Sequence, residues 1–296
     1  MIRNLRRFTS LQRTQSFSSE EYQVRRELAI CHRLVAHYGM DELTWNHISA
    51  RVGNQGQWLV TPGNKHFSLI EPNDLVLMGA DDNELKNVTA GVIHGAIFSA
   101  RCVCVPIYLH DLSLPHQTLT HSLTHSLTHS HTHIKKRPDV KAIVHVHTEA
   151  GQYVSCLPGD SPLVFYTQDG GGFYGKVGVH DFEGVATENE ECERIERDVT
   201  TKTHTGELPD TLIMRSHGTT TMGTSIGAAF VKNFYLDRVC RIQMNLEQGN
   251  SKADPLSDVM LRRMALQYKR EDIMHGCEWP AMVEYAEKYL ECDLFE

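Results

Sequence analysis

No long apolar run interrupts the 296-residue chain: its strongest stretches, 141–146 and 211–214, are far shorter than the ~20 residues of a membrane-spanning helix. A basic excess is also missing. The formal charge is −8 and the pI about 6.1, so there is no positive field to gather phosphates, and nucleic acid is not an expected partner. The eight cysteines form neither a CxxC pair nor a dense framework, which predicts free thiols in a reducing compartment. No acidic residue precedes Glu20. The first nineteen residues instead carry Arg3, Arg6, Arg7 and Arg13 among serines, a composition shared by mitochondrial transit peptides and by basic, disordered N-termini. This leaves the mitochondrial matrix and the cytoplasm with its cytoskeleton as expected locations, and sets segment 1–19 apart from the fold.

Beyond it the chain reads as a soluble globular α/β protein. Ser18-x-x-Glu21 makes a capping box ahead of Val24, Leu28, Cys31, Val35 and Tyr38, which predicts an amphipathic helix ending at Gly39. Short runs at 46–52, 57–61 and 74–78, broken by Gly-Asn-Gln-Gly and Pro62-Gly63, predict hairpin-connected antiparallel strands. A helix is expected over 88–100, strands at 141–146, 163–166 and 211–215, a charged helix over 181–198, and a long helix over 225–246 with Gly249 as its stop. Residues 251–296 read as a helical extension able to reach a neighbouring subunit. The Gly170-Gly171-Gly172 run lacks the strand–helix context of a nucleotide loop and reads as a flexible turn near a site mouth.

One segment does not fit. The stretch from 101 to 136 begins Cys102-Val-Cys104-Val and falls into a Thr-His-Ser-Leu repeat over 120–133, and without it Ala100 joins Arg137 to read HGAIFSARPDVKAIVHVHT, a helix, a turn and a strand of ordinary connection length. The tract reads as an insert in a finished domain spanning 20–250. Its His121, His125, His129, His131 and His133 can chelate a metal, but a spacer is the plainer reading.

Chemistry concentrates elsewhere. His145 and His147 are two apart at the end of an apolar run, so a strand points both imidazoles to one side. His217 follows the 211–215 strand, and adjacency of the two strands would bring it to the same end. Three imidazoles and an open position suit an ion that polarises an oxygen or activates water. His47 and His94 read as supporting or core groups, and His180 as structural.

Taken together, WNHISARV (45–52), LVTPGN (59–64), VIHGAIFSAR (92–101), RPDVKAIVHVHT (137–148), FYGKVGVHDFEGVA (173–186) and MRSHGTTTMG (214–223) resemble the class II aldolase/adducin family, in order and over about 21–250. The resemblance implies a three-layer α/β/α sandwich around a mixed, largely antiparallel sheet, assembled as homotetramers with sites at subunit boundaries. It implies that His145, His147 and His217 hold zinc, or manganese, cobalt or iron, to polarise the carbonyl of a small-molecule substrate. It places substrate contacts at Asn46, Thr61 and Gly63, with His94 facing the site.

Sugar-phosphate aldolases of the family carry a glutamate base four residues before the position of His94; here that position is Ala90. Losing a general base forfeits about 10²–10⁴-fold in rate. Ala90-Gly91 brings the chain closer to the adducin-like branch, whose members attach to actin and spectrin through a neck and basic tail. The acidic ECDLFE finish suggests a stand-alone head domain. The expectation is a metal-dependent lyase, decarboxylase or epimerase, with a non-enzymatic, actin-associated head as the alternative. Glu149 and Asp169 are the carboxylates nearest the motif in sequence, and Tyr285 and Tyr289 are candidate proton donors that read more simply as packing residues.

Overall fold

The computed structural model describes residues 17–53, 56–79, 87–98, 137–186, 189–250, 252–270 and 274–292. The repeat tract and residues 1–16 of the basic segment lie outside the described residues.

Seven strands form one sheet in the order β3-β2-β1-β4-β7-β6-β5. They are β1 (His47–Val52), β2 (Gln57–Val60), β3 (Val76–Met78), β4 (Ala142–Val146), β5 (Val177–His180), β6 (Thr211–Met214) and β7 (Gly218–Gly223). All neighbours are antiparallel except β5 and β6, as expected for a largely antiparallel mixed sheet. The helices are α1 (Ser19–His37), α2 (Val88–Phe98), α3 (Glu149–Ser155), α4 (Asn189–Thr200), α5 (Ile226–Gln248), α6 (Asp258–Arg270) and α7 (Trp279–Tyr289).

Side-chain alternation sorts the layers. Ala142, Val144 and Val146 pack with Ile48 and Ala50 against α1, α3 and α5, whereas Ile143 packs with Leu212 and Met214 against α2 and α4. Both faces of β4 are therefore covered, which is why it reads as an unbroken apolar run. His145 shares the parity of Ile143 and faces the α2 side.

Local signals account for the helix ends. Ser18 Oγ accepts the Glu21 N–H at 3.1 Å, but the Glu21 carboxylate turns to Arg25, so half of the capping box forms. Gly39, at φ +66°, ends the turn after α1, and Ser225 caps α5 by accepting the Ala228 N–H at 3.1 Å. His32 on α1 is fully buried, and burial lowers its pKa to about 4. Neutral, it donates from Nδ1 to the Leu28 carbonyl and accepts from Thr61 Oγ1 at Nε2, both at 2.7 Å; Thr61 Oγ1 in turn accepts the Ile48 N–H at 2.7 Å. This clasp fixes α1 to β1 and the end of β2.

The two margins of the tract are held by one side chain. Arg51 donates from Nη2 to the Phe98 carbonyl at the end of α2 (2.6 Å) and from Nε to the Val140 carbonyl before β4 (2.8 Å), and stacks over the Phe98 ring.

Several expectations need correction. Residues 163–166 are irregular rather than a strand: Val164 N–H donates to the Gln243 side chain of α5 and the Phe165 carbonyl accepts the Leu256 N–H, so their backbone groups are satisfied outside the sheet. The charged helix starts at Asn189 rather than 181, because the preceding VGVH forms β5. The glycine run is a packed 3₁₀ turn, not a flexible mouth: side chains on Gly170 and Gly171 would meet Phe165 and Met264, each at 2.7 Å. Cys192 is disulfide-bonded, against the expectation of free thiols, which holds for Cys31, Cys156, Cys240, Cys277 and Cys292. The C-terminal helices fold back on their own domain. Trp279 packs against Phe230 of α5, and Tyr285 bonds His37 at 3.0 Å.

His180 ties β5 to α4 through Asp198 (2.8 Å) and Glu191 (3.5 Å). Burial opposes its charge, but the two carboxylates outweigh burial and raise its pKa to about 9. A folded-state pKa above the unfolded value of about 6.5 means that this clamp stabilises fully below pH ~6.5 and weakens as pH rises through 9. We expect the thermal midpoint to decline across that window in the parent protein, and to decline less in His180→Asn. A second expectation concerns close packing. A Cβ on Gly223 would strike backbone atoms of Ala229 and Ser225, so Gly223→Ala should lose about 1–3 kcal/mol in denaturant unfolding.

Candidate metal centre

The antiparallel register sets His47 opposite His145 and His145 opposite Thr220. His147 lies one residue past the end of β4, beside the start of β7, and His217 occupies the turn between β6 and β7. The expected route was direct adjacency of the 141–146 and 211–215 strands. In the structure β7 separates them, and the β6–β7 hairpin delivers His217 instead. The trio's ligand nitrogens lie within 4.8 Å of one another, with His145 buried and His147 and His217 partly exposed.

Each ring is oriented from behind. Glu42 Oε2 lies 2.7 Å from His147 Nδ1, and a carboxylate only accepts, so Nδ1 carries the hydrogen and Nε2 presents a lone pair. Thr220 Oγ1 lies 2.9 Å from His145 Nδ1 while its own hydrogen points to Met214 Sδ at 3.3 Å, which again leaves Nε2 bare. The two Nε2 atoms then face each other at 2.9 Å. Two lone pairs at that separation repel unless a proton or a cation lies between them. Protonation is disfavoured: burial, then the neighbouring histidines, push His145 well below its ordinary pKa, and burial followed by His147 lowers His217 to about 4. A donor set of neutral imidazoles with converging lone pairs suits a divalent ion of the zinc type.

Behind the trio, His47 stacks on His145 (centroids 4.7 Å apart, 24° between planes), and its Nδ1 bonds His94 Nε2 at 2.9 Å. His94 Nδ1 bonds Ser49 Oγ at 2.5 Å. Both nitrogens of His94 are thus engaged, the ring is fully buried, and burial lowers its pKa to about 3. It braces His47 from behind. Thr61 is likewise buried and committed to the α1 clasp, while Gly63 is exposed in the following turn. Asn46 is 1% exposed, and neither polar atom of its side chain has a hydrogen-bond partner among the described residues. Ala90 is buried among Trp58, Val60 and Ile93 and offers no proton-transfer group. Asp169 is paired with Arg238 at 2.9 Å, away from the trio.

Sequence reasoning missed Glu42 and Thr220, since nothing in their spacing marks them. Two left-handed non-glycine residues adjoin the centre: Leu43 (φ 43°) follows Glu42 and Ser216 (φ 52°) precedes His217. Strain of this kind is held where surrounding contacts over-determine the backbone.

A family model described as "Class II Aldolase and Adducin N-terminal domain" matches residues 26–244. The chain belongs to the class II aldolase/adducin family. A Pseudomonas aeruginosa protein named for the class 2 aldolases is 30% identical over 277 residues, 90% of each chain. Rat alpha-adducin is 26% identical over 77% of this chain, which spans only 26% of that protein. Among solved structures, an aldolase II superfamily protein from Pseudomonas syringae superposes with a TM-score of 0.69 at 24% identity, covering 93% of this chain and 96% of the other. L-fuculose 1-phosphate aldolase from Glaciozyma antarctica does so with 0.65 at 21%, covering 93% and 94%. These likenesses establish the fold, and the class II aldolase/adducin sheet carries the histidine cluster described above.

The hydrogen-bond pattern predicts the Nδ1–H tautomer for His147 in the metal-free protein. Long-range ¹H–¹⁵N NMR should show it, and Glu42→Ala should shift His147 towards the Nε2–H form; an unchanged spectrum would contradict the carboxylate's role.

Proposed function

We propose that this family member holds a divalent ion, zinc or alternatively manganese, cobalt or iron, on His145, His147 and His217. It then acts as a lyase, decarboxylase or epimerase on a small carbonyl or carboxylate compound. The supporting observation is the pair of lone-pair nitrogens at His145 and His147, each fixed by a partner on its far nitrogen. An ion held by these three histidines would supply Lewis-acid polarisation of a substrate oxygen.

The chain's own residues do the rest. Glu42 orients His147 by accepting its Nδ1–H, Thr220 does the same for His145, and the His47–His94–Ser49 series closes the inner wall. Asn46 is the residue we assign to the substrate side. An unbonded buried amide costs about 1–3 kcal/mol, which a polar group arriving with the substrate would offset. With alanine at position 90, sugar-phosphate aldol cleavage through a glutamate base is not part of the proposal. Assembly is proposed to be a homotetramer, with Leu43 (73% exposed), Trp45 (57%) and Phe182 (57%) in loops at the site end of the sheet as candidate contacts.

A second reading, a non-enzymatic adducin-like head that associates with actin or spectrin, is favoured by Ala90 and by the adducin relatives. Co-sedimentation with filamentous actin tests it, and absence from the pellet removes it. For the leading reading, elemental analysis of purified protein should find about one divalent ion per chain, and none in a His145→Ala, His147→Ala double variant. Parent protein without stoichiometric metal would refute the metal-dependent reading.

A further inference from the structure

On the face of the sheet away from α2, a second pocket has a chemistry unrelated to the histidines. It is a cavity of about 180 Å³ where α1, α5 and α7 meet, lined by Tyr38, Phe230, Phe234, Tyr235, Glu278 and Met282. The aromatic walls stand nearly at right angles. Phe234 meets Tyr38 at 68° with centroids 5.0 Å apart, and meets Tyr235 at 84° and 5.5 Å. Tyr38 lies at 40° and 6.4 Å from Phe230. Tyr38, Phe234 and Tyr235 are only half-buried, so the pocket opens to solvent.

The hydroxyls are drawn to the rim. Tyr38 donates to Met282 Sδ at 3.5 Å, and Tyr235 donates to Glu278 Oε1 at 3.4 Å. Glu278 is the lining's one ionisable carboxylate. Its bonded partners are the neutral Tyr235 hydroxyl and the Cys277 thiol at 2.9 Å; among the described residues it pairs with no lysine or arginine. The nearest arginine in sequence on α5, Arg238, is engaged with Asp169 at 2.9 Å. Ring faces carry negative quadrupole potential, and an uncompensated carboxylate adds to it.

We propose that this pocket binds an organic cation of the quaternary or alkylated ammonium type. Each wall contributes something an apolar plug does not need. Aromatic rings set in two directions line the space for a compact head group, and Glu278 supplies a formal charge that no lysine or arginine among the described residues neutralises, which a cation would satisfy and a hydrocarbon group would not. The pocket's walls share no residue with the histidine centre.

Isothermal titration of the full chain with choline, and with its neutral isostere 3,3-dimethyl-1-butanol, separates charge from shape. Choline should bind at least about tenfold more tightly than the isostere, and Glu278→Gln should weaken choline by about tenfold while leaving the isostere unchanged. Phe234→Leu keeps the apolar volume but removes a ring face and should also weaken choline; circular dichroism of each variant checks the fold. The His145→Ala, His147→Ala variant should bind choline as the parent does, so failure of the metal reading leaves this proposal intact. Equal affinity for the two probes, no binding of choline, or indifference to both Glu278→Gln and Phe234→Leu would overturn it.

Discussion

The centre depends on the hydrogen-bond register of β1, β4 and β7. That ladder sets His47, His145 and Thr220 side by side although 98 positions separate the first two and 75 the last two. Because side chains alternate along a strand, a one-residue slip of β4 would turn His145 into the α1–α5 layer and Val144 out of it. The apolar pattern of β4 and the buried Ile48 and Ala50 of β1 oppose such a slip, so the same packing that stabilises the sheet also aligns the imidazoles. Fold and site are specified by one set of contacts.

His145, His147 and His217 stood out in the sequence because the ordered family motifs around them singled out a histidine pair that alone reads more often as half-buried structure, and the structure brings the three together. Helices α1 and α5 were legible from Ser18, Ser225 and their glycine stops. Strand β7 was not: GTTTMG has no apolar alternation, and its threonines are buried by bonding. Thr221 donates to the Ala229 carbonyl and Thr220 engages His145. Short, glycine-bearing β5 was hidden for a similar reason, and 163–166 imitated a strand through composition while its backbone is satisfied by α5 and the C-terminal segment. Glu42 escaped notice because its role is set by a contact 105 positions away. Asn46 was expected at the site, yet only the structure reveals that its amide is unbonded.

Orienting five imidazoles in one region requires partners for many nitrogens, and the structure supplies them asymmetrically. On the buried side Ser49, His94 and His47 satisfy one another in sequence; on the open side Glu42 and Thr220 bond the far nitrogens of His147 and His145 and leave the near ones bare. Burial alone would make all of these rings inert core groups. The directional bonding is what distinguishes a coordinating face from a packed one.

Arg51 has a bearing on how α2 and β4 keep their spacing. Its guanidinium bridges the carbonyls of Phe98 and Val140, so the last turn of α2 and the approach to β4 are tied to each other independently of the polypeptide that joins them. Closing a longer connection costs only about 0.6 kcal/mol for each doubling of its length, and the stapled margins confine that cost to the connection itself. The bridge fixes the spacing of α2 and β4, and with it the places of His94 and His145, through a contact that does not run along the chain between them.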